Sequence, residues 1–161
     1  MRRSETLFLV VLLGAAVVGG ASLVSFSDSL AVQELVSVLQ DRVEADVTAV
    51  AVENRSLVVR VRFENPSGSR LAVDGGYFAV FRNDSRLAYG SASLDPPLSL
   101  PPRGSATTTF RVQLSPSQAE RVRAARDAGG FDLANRYSVS IADSRFTLRN
   151  DRVAVPSEVS G

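Results

Sequence analysis

Three regimes of hydrophobic and polar patterning follow one another along the chain. From Leu7 to Phe26 no position is charged, and this run comes directly after a basic start at Met1, Arg2 and Arg3. A helix of about 20 apolar residues crosses the roughly 30 Å hydrocarbon core of a bilayer, whereas a helix of a soluble core keeps a polar face. The run therefore predicts one membrane span. From Asp28 to Val43 the apolar residues Leu30, Leu35, Val36, Val38, Leu39 and Val43 recur at spacings near three and four among Gln33, Glu34, Gln40, Asp41 and Arg42. That spacing predicts an amphipathic helical stalk. Beyond Val43 the period falls from about 3.6 to about 2, the period of strands.

The clearest strand runs from Ser56 to Glu64, with Leu57, Val59, Val61 and Phe63 on one face and Val58, Arg60, Arg62 and Glu64 on the other. Its wet face could meet a partner or simply water. A shorter strand over residues 47–52 precedes it, across the polar turn Glu53, Asn54, Arg55. Pro66 offers no ladder donor and forces Asn65 to be extended, so the strand ends in the turn Asn65, Pro66, Ser67, Gly68. Asp74, Gly75 and Gly76 read as a plain turn, and the stretches 77–82 and 86–93 flank Asn83, Asp84 and Ser85 as a hairpin. Pro96, Pro97, Pro101 and Pro102 predict a stiff, irregular connection. Alternation resumes with Phe110, Val112 and Leu114 inward. Ser115, Pro116 and Gln118 then have the order of an N-cap, a first helical residue and a capping-box partner, and Gly129 and Gly130 stop the helix. Tyr137, Val139 and Ile141 point inward on a later strand, and Phe146, Leu148, Val153 and Val155 belong to a last one. Six or seven short strands with one helix between them predict a mainly β, antiparallel sandwich.

Charge orients this arrangement. Arginines precede the span, while Asp28, Glu34, Asp41, Glu44 and Asp46 follow it against Arg42 alone, so the amino terminus is expected in the cytoplasm and the remainder outside. A cleaved signal peptide is the alternative, giving a secreted domain. Gly19 and Ala21 resemble a cleavage site, although Leu23, Val24 and Phe26 carry the apolar run past it. The chain accordingly divides into residues 1–27, a cytoplasmic tip and transmembrane helix; 28–44, the stalk; 45–156, the β domain; and 157–161, a tail. Eighteen arginines stand against 17 acidic residues, for a net charge of +1 with no run of either sign, so no nucleic-acid partner is expected. All the basic residues are arginine, as in proteins of GC-rich archaeal or bacterial genomes. The domain has no cysteine, so its core must hold without disulfides.

With neither histidine nor cysteine, the chain lacks the commonest general base, the thiolate nucleophile and the usual zinc ligands. The remaining carboxylates, Glu53, Glu64, Asp74, Asp84 and Asp95, fall in predicted turns or on outward faces with no spacing that singles out a catalytic pair. No catalytic residue, cofactor or metal site is expected, and the chain reads as a non-enzyme. Asn54 and Asn83 each open an Asn-X-Ser triplet in a predicted turn, which makes them candidates for N-glycosylation on an exported domain; the proline after Asn65 excludes a third.

Three stretches resemble the late-embryogenesis-abundant type 2 domain, also called the water stress and hypersensitive response domain. They are the alternating strand that ends in Asn65 and Pro66, the aromatic hairpin YFAVFRNDSRLAYG from Tyr77 to Gly90, and the bend LPPRGS with Pro102 and Gly104. Ser67 stands where that family's motif often has a second asparagine. The resemblance implies an immunoglobulin-like or fibronectin-III-like sandwich and a non-enzymatic role in water, osmotic or membrane stress. The expected partners are the membrane, through the amino-terminal helix, and an envelope protein or lipid. A pilin-like subunit of a surface assembly is the alternative, because an apolar helix that turns amphipathic beneath a β-rich head is also the plan of type IV pilins.

Overall fold

Alternation of apolar and polar side chains sets the layers. The computed structural model describes residues 38–39 and 42–156; the apolar run at 7–26 and most of the amphipathic stretch lie outside them. Among the described residues no helix is long and apolar enough to cross a membrane. Seven strands and one helix lie wholly within the described residues, in order: β1 (Glu44–Glu53), β2 (Ser56–Glu64), β3 (Leu71–Arg82), β4 (Ser85–Leu100), β5 (Ser105–Gln113), α1 (Pro116–Asp127), β6 (Gly130–Ile141) and β7 (Ser144–Pro156). They build a three-stranded sheet of order β1-β2-β5 and a four-stranded sheet of order β4-β3-β6-β7, antiparallel throughout.

The two inner faces meet in an aromatic cluster. Phe63 from β2, Phe110 from β5, Phe78 from β3 and Tyr137 from β6 are all buried, with ring centroids between 4.9 and 6.4 Å apart, several of them edge to face. Such pairs add about 0.5–1.5 kcal/mol each beyond the area they bury. Leu57, Val59, Val61, Val73, Val80, Leu133 and Val139 extend the same layer. Leu39 and Val43, the last apolar residues of the amphipathic stretch, are buried too, and Leu39 begins the compact unit that holds the strands. The two sheets are joined at one edge by Asn150 of β7, whose amide donates to the Ala45 carbonyl of β1.

The helix is built as its sequence predicts. Ser115 accepts from the Gln118 amide at 3.2 Å, and the Gln118 side chain accepts from the Ser115 amide at 3.0 Å, which closes the capping box. Ala119, Val122 and Ala125 are its buried stripe, and it packs on β4, β6 and β1. Arg82, at the end of β3, donates to the carbonyls of Ala125 and Ala128, both at 2.7 Å, so a cation satisfies the negative end of the helix.

Two expectations about loops are corrected. Asp74, Gly75 and Gly76 are not a turn but lie inside β3, at a register shift against both β4 and β6. A Cβ at Gly75 would stand 2.7 Å from the Ala92 carbonyl oxygen, and one at Gly76 would stand 2.8 Å from the Phe78 ring, so these glycines serve close packing rather than chain reversal. Pro96 and Pro97 do not interrupt β4, which runs through them, with a cis bond before Pro96. They sit in the four-residue bulge of residues 94–97 opposite Asp74, on a strand at the sheet's edge, where a missing donor is tolerated. Strands β3 and β6 extend further back than expected from the sequence, to Leu71 and Gly130, and β6 alternates from its first residue.

Candidate functional site

Asn65 ends β2 and is 1% exposed. Its amide nitrogen donates to the Ser69 carbonyl at 2.8 Å and the Pro101 carbonyl at 3.0 Å, with a longer approach of 3.4 Å to Leu100. Its oxygen accepts from the Ser67 amide at 3.1 Å and the Ser67 hydroxyl at 2.7 Å, the geometry of an Asx-turn. Two backbone bonds complete the latch: the Asn65 amide donates to the Gly104 carbonyl at 2.8 Å, and the Arg103 amide to Ser67 at 2.9 Å. The β2–β3 loop and the β4–β5 turn are thereby tied together through one side chain. Pro66 stays exposed beside it, and Ser67 supplies the hydroxyl on which the turn closes.

The β4–β5 turn reads Pro101, Pro102, Arg103, Gly104, with the Gly104 amide donating to Pro101 at 3.2 Å. Pro102 suits its second position, and Arg103 takes the left-handed third position at φ +52° that a type II turn requires. Gly104 is needed for space instead, since a Cβ there would lie 2.6 Å from Pro101 Cγ. Arg62, Glu64, Asn65, Pro66, Arg103, Gly104 and Ser105 line an open groove of about 460 Å³ at this end of the sandwich. Arg62 is spent on Glu64 at 2.9 Å within it.

The other sequence candidates lie elsewhere. Asn54 and Asn83 are exposed in the two-residue turns β1–β2 and β3–β4, at φ +52° and +48°. Both turns are at the helix end of the sandwich, opposite the Asn65 latch. Gly90 faces inward on β4, where a Cβ would run into Val112 Cγ1 of the opposite sheet. Of the carboxylates, Glu53 pairs with Arg111, Glu64 with Arg62, Asp74 with Arg145 and Asp84 with Arg152, at 2.7–3.2 Å. Among the described residues no three acidic side chains gather to hold a metal.

Tyr77 belongs to a surface that the sequence did not single out. On the outer face of the four-stranded sheet, Ser91 of β4, Tyr77 of β3, Arg136 of β6 and Arg149 of β7 are successive cross-strand neighbours. Gly75, Ser138 and Thr147 form the next row, and Ala79 and Ala134 the row on the other side. Tyr89 is 52% exposed, with the Arg86 guanidinium 4.6 Å above its ring, and Phe81 carries Arg152 at 4.3 Å. Small side chains stand in the neighbouring rows beside these aromatic and guanidinium groups.

No protein-family profile matches the chain, and no curated protein matches it. Solved structures do overlap it. A crystal structure of a protein from Archaeoglobus fulgidus is 16% identical, with a TM-score of 0.48 over 73% of this chain and 96% of that one. A solution structure from Arabidopsis thaliana is 14% identical, with a TM-score of 0.46 over 70% and 77%. A third, whose own name proposes it as a late embryogenesis abundant protein, is 13% identical, with a TM-score of 0.36 over 84% and 89%. Overlaps of this extent leave family and function to be argued from the residues of this chain.

Proposed function

We propose that this chain is a non-enzymatic, membrane-anchored domain of the late-embryogenesis-abundant type 2 kind, displayed outside the cytoplasm, where it binds envelope components and protects them under water or osmotic stress. The observation that carries the reading is the Asn65 latch. The Asn-Pro signature on which the resemblance rests has a physical task here, joining two loops that each cross between the sheets through one buried amide. The strand order of three and four, with a helix between β5 and β6, is compatible with a fibronectin-III-like sandwich. Display outside the cell is supported by the two Asn-X-Ser turns, which are exposed at the end of the sandwich remote from the start of β1. A domain without histidine or cysteine, in which Glu53, Glu64, Asp74 and Asp84 are each paired with an arginine, suits binding better than catalysis.

The test is the intact mass of the mature protein from native membranes. Retention of residue 1 with added sugar mass at Asn54 or Asn83 is the expected result. Loss of residues 1–21 would make it a secreted domain, and loss of only the first few would favour a pilin-like subunit. The stress role predicts poorer recovery from drying or osmotic upshift when the gene is deleted, restored by the full chain; equal recovery would remove that role.

A further inference from the structure

Arg136 and Arg149 are direct cross-strand neighbours on the outer face of the four-stranded sheet, both exposed. Like charges so placed work against strand pairing, and opposite charges are the stabilising choice. The other arginines of this face are engaged: Arg145 with Asp74, Arg152 with Asp84 and Phe81, and Arg86 on Tyr89. Among the described residues no carboxylate or ring partners Arg136 or Arg149. The Tyr77 ring stands next in the same row, and strands about 4.8 Å apart place the ring and the two guanidinium stems along about 10 Å of sheet.

We infer that this row is a binding site for an acidic polysaccharide, with a sugar carboxylate held between Arg136 and Arg149 and a neighbouring sugar ring lying on Tyr77. Each group suits that ligand. A guanidinium fork matches a carboxylate with two parallel hydrogen bonds, and an anion beside two cross-strand arginines offsets their mutual repulsion. An aromatic ring with a polar edge offers the apolar face of a sugar a flat support, and Ser91 and Ser138 add hydroxyls in reach of a hydroxyl-rich chain. A phosphate backbone would need a longer positive track, whereas Asp74, Asp84 and Asp132 lie at or beside this face and the whole chain carries only +1. The inference rests on the reading of the chain as a binding domain and names the chemistry of the envelope component.

Calorimetric titration of the full chain in detergent micelles tests it, using a galacturonate oligosaccharide, a galactose oligosaccharide of equal length, and single-stranded DNA of equal charge at the same salt. Galacturonate is expected to bind at least about tenfold tighter than either, the worth of one charge-assisted hydrogen bond. Arg136→Ala and Tyr77→Ala are each expected to weaken it about tenfold or more. Arg149→Glu places opposite charges across the strands, so its melting temperature should hold or rise while binding is lost. Arg123→Ala, on the exposed side of α1, should change nothing. No binding of galacturonate, equal binding of the neutral oligosaccharide, equal or tighter binding of DNA, or binding that survives Arg149→Glu would each overturn the site. Anchoring is read separately from the mature mass, so failure of this site leaves the anchored domain standing, and a cleaved protein would still bind.

Discussion

Two buried asparagines behave oppositely. Asn65 uses both ends of its amide, and replacing it by alanine would remove the side-chain donor to the Ser69 and Pro101 carbonyls and the acceptor for the Ser67 amide and hydroxyl. Asn65→Ala is expected to cost about 2–4 kcal/mol in a urea melt, because several hydrogen bonds that tie the two loops together are lost at once. Asn135, 2% exposed on the inner face of β6, has no hydrogen-bond partner for either amide atom among the described residues. Its replacement by leucine should therefore stabilise the domain by about 1–2 kcal/mol, read as a higher melting temperature. Tyr137, two residues on, buries an equally unpartnered hydroxyl, and desolvation pushes its ionisation above the ordinary value of 10.0. The native state thus keeps a proton that the unfolded chain releases, so this group's contribution to stability is level below pH 10 and declines as the pH rises above it. Tyr137→Phe is expected to flatten that alkaline decline in denaturant midpoints measured from pH 8 to about 11. An unchanged slope would show that another group controls it.

Elements hold one another through points of close approach. Gly90 lets β4 lie against β5 of the other sheet, and a methyl there meets Val112, a side chain stiff at χ1. Gly90→Ala should cost about 1–3 kcal/mol, measured by chemical unfolding, as for other overpacked cores. Arg82 joins β3 to the last carbonyls of α1, so Arg82→Ala should loosen the helix end and cost about 1–2 kcal/mol, with faster amide exchange at residues 125–129. The capping box of that helix was legible beforehand because its partners are three residues apart. The extent of β4 was not. Prolines argue against a strand by themselves, and only the position of β4 at the edge of its sheet makes room for them.

For the whole molecule, the buried Leu39 and Val43 make the start of the amphipathic stretch's last turn part of what must be retained for folding. A fragment of residues 39–161 is expected to unfold cooperatively with a β spectrum, whereas one of residues 44–161 loses both side chains and should melt lower by about 2–4 kcal/mol. Equal stability of the two would show that these residues add nothing to the core. The sequence by itself determined which side chains turn inward on β2 and β5, where β2 stops and how α1 begins, because alternation, proline and capping act between near neighbours in the chain. Tertiary structure decided the rest. The carbonyls that Asn65 reaches, the wall that Gly90 meets and the meeting of Tyr77, Arg136 and Arg149 in one row all follow from strand order and register. Those are set by how two sheets bury a shared core, which is a property of segments far apart in the chain.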